Sequence, residues 1–311
     1  MAIKSYQAEL RTDSPGVMAF ARDLEYKEAR VIEQVYPEKK AANGLMIQIE
    51  EVEMPWALST SFRMTDGVGS FELADDFTTN LPFVDMVAQE FKNDVKSYRS
   101  GYYYSEKEVA AFNHLGMPID EQKIALVRKA YVQTLNRLIL FGDRKTGMPG
   151  FVNHPAFLRS ISPYKLDGSV GNANQLISAL TFGMSAVSDS TIDALECDTI
   201  WLPRKQFTFM NSQARMDGAL EKTVLKFFKE NNTNPNVQIG WMRELEGCGP
   251  NGEDVALFYS RNPMYVKARI TDPFRFRQLM VYPFMLYRPV AFDWNGIQVY
   301  NPYSVHVMIG V

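Results

Sequence analysis

The chain has 311 residues, of which 46% are hydrophobic and 13% aromatic, with a net charge of −3 and a pI of about 5.8. This length supports one large domain or two subdomains, and the slightly acidic balance argues against holding nucleic acid by bulk positive charge. No run approaches the roughly 18 apolar residues of a membrane span, and the N-terminus has no apolar signal core, so neither insertion nor export is expected.

Residues 1–50 are predicted to form an N-terminal arm. Helical spacing occurs at Val17, Phe20 and Leu24, and the first run typical of a strand is Gly44–Ile49. Short helices without a core of their own need a larger body to pack against. We therefore expect the arm to contact something larger, such as a neighbouring chain.

Residues 51–80 are predicted to form an extended hairpin. Apolar side chains alternate from Leu58 to Met64, and a return strand is expected at Phe71 and Leu73. Asp66-Gly67 lies between the two runs and favours a tight turn, because both central residues tolerate positive φ. From residue 41 to 91 the chain has no lysine and one arginine but many carboxylates. A two-stranded ribbon is marginal alone, so an acidic one should either move freely or lie against a basic partner surface.

The strongest helical pattern spans residues 121–141. Its apolar positions recur with the spacing of one buried helix face: Ile124, Val127, Tyr131, Leu135 and Leu138. Asp120 is predicted to cap its start, and Gly142 to end it in the left-handed conformation. At 1.5 Å per residue this helix is about 30 Å long, which indicates a spine for an extended subunit. Upstream, Ser105 and Glu108 have the spacing of a capping box, which predicts a shorter helix before it.

After Pro155 the pattern changes to alternating helices and strands. The predicted helices are 172–187, 204–210 and 223–230, and the predicted strands are 198–203 and 237–241. From Val255 to Val311 the chain is predicted to be mostly strand, cut into short pieces by prolines.

The histidines and cysteines do not indicate catalysis or metal binding. His114, His154 and His306 are isolated in the sequence, and none has a metal-binding spacing. Cys197 and Cys248 carry no redox or nucleophile signature. Packed or solvated side chains are the better interpretation of all five.

Glycines and charged pairs do not indicate a cofactor site either. Glycines 142, 147 and 150 follow a helix, whereas a phosphate loop needs its glycines before one. The carboxylate pairs Glu50-Glu51 and Asp75-Asp76 lack a third ligand at useful spacing, so a solvated or partner-facing charge is favoured. Basic and aromatic residues alternate from Tyr259 to Arg277, but a half-buried strand gives the same pattern as a nucleic-acid platform. No catalytic residue, cofactor or metal is predicted.

Taken in order, these elements resemble the major capsid protein of tailed bacteriophages, with the HK97-type fold that encapsulin shells also use. The motifs that carry the resemblance are Gly101-Tyr102-Tyr103-Tyr104-Ser105, Leu140–Asp143 running to Gly150–Pro155, Asp198–Pro203 and Thr223–Lys229. The resemblance implies an α+β fold with an N-terminal arm, an extended E-loop hairpin, a peripheral (P) domain with a long spine helix and an α/β axial (A) domain. It assigns residues 1–50 to the arm, 51–80 to the E-loop, 81–155 and 255–295 to the P domain, and 156–254 and 296–311 to the A domain.

The resemblance implies a structural protein, not an enzyme. It would self-assemble as hexamers and pentamers into an icosahedral shell around double-stranded phage DNA, in the virion, after synthesis in the host bacterial cytoplasm. Portal, scaffolding and decoration proteins are the other implied partners, with DNA contacted non-specifically and no membrane. An encapsulin-like shell that stores a cargo enzyme is the alternative, and a soluble α/β enzyme is a more distant one.

Two departures from relatives are expected. Some relatives link neighbouring copies through an E-loop lysine, and the lack of lysine from residue 41 to 91 predicts that this chemistry is missing. Others carry an N-terminal scaffolding domain, and a short arm that begins at Met1 predicts no large one here.

Charge asymmetry predicts one contact between copies. The acidic hairpin of one copy is expected to lie on the spine helix of the next. The residues proposed for this contact are Glu72, Asp75 and Asp76 on the hairpin, and Lys123, Arg128, Lys129, Arg137, Arg144 and Lys145 on and after the helix.

Overall fold

The structure is a computed structural model that describes residues 39–52, 54–70, 83–115, 119–166, 173–215, 222–232 and 234–311. Lys39–Val311 forms one structural unit. The predicted arm up to residue 38, the return strand at Phe71 and Leu73 and the three acidic hairpin residues lie outside the described residues.

The described residues contain five α-helices, two short 3-10 helices (Arg243–Leu245 and Pro302–Ser304) and sixteen strands. The helices are α1 (Glu106–Leu115), α2 (Ile119–Phe141), α3 (Ala173–Ser190), α4 (Arg204–Ser212) and α5 (Val224–Glu230). The strands of the first half are β1 (Ile49–Glu51), β2 (Ser59–Val68), β3 (Asp85–Asp94), β4 (Lys96–Ser105), β5 (Gly142–Asp143), β6 (Met148–Pro149) and β7 (Leu158–Ile161). The others are β8 (Thr199–Pro203), β9 (Ala214–Arg215), β10 (Lys222–Thr223), β11 (Gln238–Met242), β12 (Val255–Tyr259), β13 (Val266–Phe276), β14 (Met280–Tyr282), β15 (Met285–Val299) and β16 (Val305–Ile309).

The first sheet is organised around the long strand β15. Its strand order is β1-β13-β15-β14, and β4 also pairs with β15. β1 runs parallel to β13, and the other neighbours are antiparallel. The spine helix α2 packs on this sheet through Tyr131, whose ring lies 4.6 Å from that of Phe274 and 4.9 Å from that of Phe292. The apolar helix face predicted from the sequence is therefore the face that meets the sheet.

The second sheet lies between two apolar cores. Its strand order is β11-β8-β12-β16-β7, and every residue of β8 and β12 is buried. Because side chains alternate along a strand, Ile200 and Leu202 join the core beneath helices α3, α4 and α5. Trp201 points to the opposite side and joins the core shared with the spine helix and the first sheet. The continuous apolar run of this motif follows from burial on both faces.

The end of the spine helix was predicted correctly, but its cap was not. The helix ends at Phe141, and Gly142 has φ +68°. Its last carbonyls accept hydrogen bonds from the chain that returns over them, with Phe151 N donating to Ile139 O at 2.8 Å and the Asn153 side-chain amide donating to Phe141 O at 3.0 Å. The predicted cap at Asp120 is wrong, because the helix begins at Ile119 and already includes that residue.

The predicted hairpin turn is also wrong. β2 and β3 form an antiparallel ribbon in register from Ser59 opposite Asp94 to Val68 opposite Asp85. Gly67 lies opposite Met86 inside this ladder and does not adopt positive φ. An Asp-Gly pair permits a turn without requiring one, and here the long-range pairing determines the local conformation. The ribbon consequently extends to residue 94, beyond the predicted limit of residue 80.

Other local predictions had mixed outcomes. The strand predicted at Gly44–Ile49 is mostly wrong, because the chain bends until Gln48, Gly44 has φ +70°, and Met46 and Ile47 fill the core. The capping box is confirmed, since Ser105 N donates to the Glu108 carboxylate at 3.0 Å and Glu108 N donates to Ser105 Oγ at 3.2 Å. The predicted helices after Pro155 are confirmed within a few residues at their ends.

The two sheets divide the chain at different places from the sequence-based boundaries. β12 pairs with β8 and β16, so residues 255–259 belong to the second sheet. Residues 296–299 are the end of β15 and belong to the first sheet. Each sheet is thus assembled from distant parts of the chain.

Candidate surfaces for self-assembly

The two histidines whose side chains the structure describes are packed rather than poised for catalysis. Burial lowers the pKa of His154 to about 4, and its Nδ1 accepts a hydrogen bond from Ala156 N at 3.3 Å. Burial also lowers the pKa of His306, whose Nε2 lies 2.8 Å from Ser160 Oγ. A catalytic pair of this kind needs an exposed serine and a carboxylate that orients the imidazole. His306 is only 3% exposed and forms no ion pair with a described carboxylate.

The thiols and carboxylates of the described residues do not form a reactive or metal-binding group. Burial raises the pKa of both Cys197 and Cys248 to about 12, so both stay protonated at neutral pH. Among the residues described, no group of three or more potential ligands could hold a metal ion. In the same ranges, no helix is long and apolar enough to cross a membrane.

The ribbon formed by β2 and β3 exposes an apolar and acidic surface. Trp56 is 76% exposed and Phe83 is 89% exposed at its two ends. Further exposed apolar side chains are Leu58, Val84, Met86 and Val87, and the exposed carboxylates of β3 are Asp85, Glu90 and Asp94. The exposed apolar side chains from Phe83 to Val87, grouped at one end of the ribbon, are typical of an interaction site.

The ribbon is anchored at its base. β3 continues through Val95 into β4, so one strand leaves its partner β2 and joins the first sheet through β15. Thr60 Oγ accepts hydrogen bonds from the side-chain amides of Asn295 at 2.6 Å and Gln298 at 3.0 Å. Next to this contact, the ring of Phe62 lies 4.8 Å from that of Tyr300.

A second exposed surface is the tip formed by β14 and the start of β15, which we call the apolar hairpin. Its exposed side chains are Leu279, Met280, Val281, Tyr282, Phe284 and Met285. Residues 277–288 contain no carboxylate and are bounded by Arg277 and Arg288. Arg277 is paired with Asp272 of the same chain, so exposed apolar surface rather than charge distinguishes this hairpin. Sequence patterning did not single it out, because the same residues are typical of a buried strand.

The basic residues proposed around the spine helix do not share one face. Lys123 is already occupied, since its Nζ donates to Tyr103 O at 2.8 Å and lies 3.5 Å from the Glu108 carboxylate. Arg128 and Arg137 are exposed, but nine residues are about two and a half helical turns, which places them on opposite sides. Lys129 is half-buried.

A smaller basic group remains at the end of the helix. Arg144 and Lys145 are exposed in the turn between β5 and β6. The backbone N–H of Lys145 and the hydroxyl of Tyr98 hold the pKa of Asp143 below its usual range, with the charges of Arg137 and Lys145 acting in the same direction. Arg137 and Lys145 therefore lie near the same carboxylate, and these two with Arg144 form what we call the basic end of the spine helix.

A third feature was not predicted. The side chains of Lys39 and Lys40 hold this segment of the chain against the rest of the body. Lys39 Nζ lies 2.7 Å from the Glu244 carboxylate, which also accepts a hydrogen bond from Asn136 on the spine helix at 3.3 Å. Lys40 Nζ donates to Trp241 O at 2.8 Å and lies 3.5 Å from the centre of the indole ring. This junction joins the start of the unit to both the spine helix and the second sheet.

These features define a class of protein before any comparison. An α+β body with exposed apolar surfaces that its own described residues do not cover is typical of a subunit that assembles with other chains. The family model described as major capsid protein matches residues 71–311. The match covers most of the chain, which therefore belongs to the major capsid protein family.

Solved structures support the fold. The capsid of Myoviridae phage XM1 superposes with a TM-score of 0.81 over 96% of this chain and 100% of that one, at 17% identity. A structure of Microbacterium phage Oxtober96 gives 0.62 over 93% and 96% at 12% identity, and the virus-like particle from Pyrococcus furiosus gives 0.53 over 84% and 89% at 12% identity. No curated protein matches the chain.

The comparisons confirm the expected HK97-type fold and the structural role. The chain is a capsid shell protein that assembles with copies of itself and is located in the virion. Members of this family are structural proteins rather than enzymes. The encapsulin-like alternative has less support, because the family model is that of a major capsid protein and the capsid of phage XM1 matches nearly the whole chain.

Proposed function

We propose that this chain forms the hexamers and pentamers of an icosahedral phage head that encloses double-stranded DNA, after synthesis in the host bacterial cytoplasm. The observation that carries the proposal is the exposed apolar surface of the ribbon and of the apolar hairpin. A soluble monomer rarely leaves two such surfaces in water, whereas a closed shell covers both with neighbouring copies.

We assign roles to the two sheets and their helices by analogy with the HK97-type fold. The first sheet with the spine helix would form the P domain, and the second sheet with helices α3, α4 and α5 would form the A domain around the five-fold and six-fold axes. The arm and the ribbon, here called the E-loop, would reach to neighbouring copies. Portal, scaffolding and decoration proteins would add further contacts, and the packaged DNA would be touched non-specifically.

Electron microscopy of the expressed protein in negative stain tests this proposal. We expect closed shells with five-fold and six-fold clusters, because the shape of the subunit fixes both kinds of ring. Shells purified from infected cells should contain DNA. A chain that remains monomeric at high concentration, or shells that hold a cargo enzyme in place of a genome, would contradict the proposal.

We further propose that the acidic segment Glu72, Asp75 and Asp76 docks on the basic end of a neighbour's spine helix. Arg137, Arg144 and Lys145 are exposed there, whereas Lys123 is engaged within its own chain. One exposed ion pair contributes only about 0–1 kcal/mol. Repetition around a closed shell multiplies that small bias, so the contact can guide assembly while single pairs remain reversible.

Charge reversal tests this docking contact. Changing Glu72, Asp75 and Asp76 to lysine should reduce the yield of shells at physiological salt, because like charges then meet between copies. Added salt should partly restore the yield by screening the repulsion. A second set of reversals, Arg137→Glu, Arg144→Glu and Lys145→Glu, should restore assembly when combined with the first.

A matched control reverses three exposed carboxylates elsewhere, Asp189, Glu196 and Glu253, which changes the net charge by the same amount. This control should assemble more efficiently than the variant with lysine at Glu72, Asp75 and Asp76. Equal shell yields for this control and the triple lysine variant would refute the docking contact, and so would normal shells from the triple lysine variant. Sedimentation measures the assembled fraction, and electron microscopy checks the form of the shells.

A further inference from the structure

The angle at which the ribbon leaves the body is not fixed by broad packing. An open cleft of about 790 Å³ separates the ribbon from the body. Met64, Val87 and Gln89 line one side, and Val299 and Tyr303 line the other. Beyond its base the ribbon therefore has little body surface to rest on, and its direction depends on the few contacts near Val95.

Those contacts are a small group of polar and aromatic side chains, in which the Asn295 Oδ1 atom is buried without a hydrogen-bond partner. Asn295 and Gln298 are completely buried, and both amides donate to the hydroxyl oxygen of Thr60. The Gln298 carbonyl oxygen accepts a hydrogen bond from the Tyr300 hydroxyl at 2.9 Å. Tyr300 packs on Phe62, which lies two residues after Thr60 on the same face of β2. Thr60 and Phe62 on β2 are thus tied to Asn295 and Gln298 on β15 and to Tyr300 directly after it.

Among these contacts, the hydrogen bonds to the Thr60 hydroxyl depend most strongly on geometry. Aromatic contacts tolerate sliding and repacking, whereas a hydrogen bond weakens steeply when its angle is distorted. Two buried amides that converge on one oxygen leave that oxygen little freedom, and loss of the hydroxyl would leave buried donors without a partner. A purely apolar base could hold the ribbon without fixing its direction.

We propose that Thr60, Asn295 and Gln298 are positioning residues that form a polar lock and set the angle of the ribbon for assembly. The lock acts within one subunit, so its existence does not depend on how copies meet. Its use in assembly rests on the proposed function, in which the ribbon docks on a neighbouring copy.

The test replaces the hydroxyl without changing the shape of the side chain. Thr60→Val should speed hydrogen exchange of the β2–β3 amides about tenfold in the full-length chain, because two buried donors lose their acceptor. Thr60→Ser keeps the hydroxyl and should exchange at close to the native rate. Unchanged exchange in Thr60→Val would overturn the proposal.

Distance measurements separate direction from stability. Spin labels at Glu90→Cys on the ribbon and Asp189→Cys on α3 report the angle, in a background that carries Cys248→Ser because Cys248 is only half-buried, whereas Cys197 is buried. Thr60→Val should broaden the distance distribution. The apolar variant Thr60→Val/Asn295→Leu/Gln298→Met should recover thermal stability but keep the broad distribution. A narrow distribution in that variant would show that packing sets the angle and would overturn the lock.

Shell yield then decides between the two proposals. A broader distance distribution together with a lower shell yield supports both the polar lock and the docking of the ribbon. A broader distance distribution with a normal shell yield supports the polar lock within the subunit. It refutes the idea that the angle of the ribbon matters for docking. Thr60→Ser is the control for yield, since it alters the same position and retains the hydroxyl.

Discussion

Burial determines the chemistry of several single residues in this subunit. The hydroxyl of Tyr259 donates to Met46 O and accepts a hydrogen bond from Trp201 Nε1 at 2.9 Å, so a fully buried phenol satisfies both of its roles. The same burial makes Cys197 and Cys248 weak acids and keeps His154 neutral. These side chains could be excluded from catalysis on sequence grounds, but their packing partners are far away in the chain and could not be predicted.

His154 should make the subunit sensitive to mild acid. Its pKa of about 4 in the folded chain lies below the usual value of about 6.5, so the unfolded chain binds more protons between these limits. The free energy of unfolding should therefore fall as pH drops from about 6.5 to 4. Because the ring is partly exposed, we discount the full shift and expect a loss of about 1–2 kcal/mol from this residue.

The variant His154→Asn isolates this effect. Asparagine can accept the hydrogen bond from Ala156 N but does not titrate, so the stability of the variant should depend less on pH in this range. Urea unfolding of unassembled full-length chains at several pH values measures the difference. Parallel curves for the native chain and the variant would contradict the prediction.

Elements with strong local patterns were predictable, and elements defined by long-range pairing were not. Ile124, Val127 and Leu138 share one face of the spine helix, and that periodicity gave the helix and its end. The ribbon was misjudged because Asp66-Gly67 satisfies a local turn rule while its ladder partners lie some twenty residues onward. The apolar hairpin escaped notice because residue type alone does not distinguish an exposed strand from a buried one.

The basic residues proposed for docking were grouped by composition, and the structure separates them for a similar reason. Charge counts grouped Lys123, Arg128 and Arg137 together, since all are basic and close in sequence. Helical geometry separates Arg128 from Arg137, and a carbonyl and a carboxylate occupy Lys123. To group basic residues by the helix face they share, one must know how the helix is rotated and which strands lie beside it. Those follow from tertiary packing rather than from composition.

The turn after the spine helix provides a test at the scale of one element. Gly142 has φ +68°, and a Cβ there would lie 2.1 Å from Met148 O. Gly147 has φ +73° with no atom within 4 Å of its Cβ position. Gly147→Ala should therefore cost about 1 kcal/mol through backbone conformation alone. Gly142→Ala should cost more than about 2 kcal/mol, because the steric clash adds to the same strain.

Thermal unfolding of the two alanine variants measures that difference directly. Each variant replaces a glycine with positive φ in the same short turn, so the comparison removes the conformational term. Equal costs for the two substitutions would show that β5 and β6 separate without penalty and that the tight return over the helix end does not matter for stability.

At the scale of the whole molecule, charge and apolar exposure are distributed for assembly. The chain carries a net charge of −3, yet the apolar hairpin is bounded by arginines and the ribbon by carboxylates. A single copy also leaves the apolar side chains of both surfaces uncovered by its own described residues. Such a subunit gains from meeting copies of itself, and its overall negative charge opposes tight binding to nucleic acid.

We predict that unassembled subunits bind double-stranded DNA with a Kd weaker than about 10⁻⁴ M at physiological salt. Fluorescence anisotropy with a labelled duplex measures this affinity. The lysine variant at Glu72, Asp75 and Asp76 is a useful comparison, because its added positive charge should raise affinity in a salt-dependent way. Tight or sequence-selective binding by the native chain would contradict the prediction.

The continuity of β3 with β4 has a mechanical consequence. A pull along the ribbon is transmitted through Val95 into β4, which is hydrogen-bonded to β15 over ten residue pairs. These bonds run perpendicular to the strands, so tension along the axis loads them together in shear instead of peeling them one by one. If the proposed head stretches under the pressure of packaged DNA, the ribbon can act as a strap whose anchorage yields only if all ten pairs give way at once.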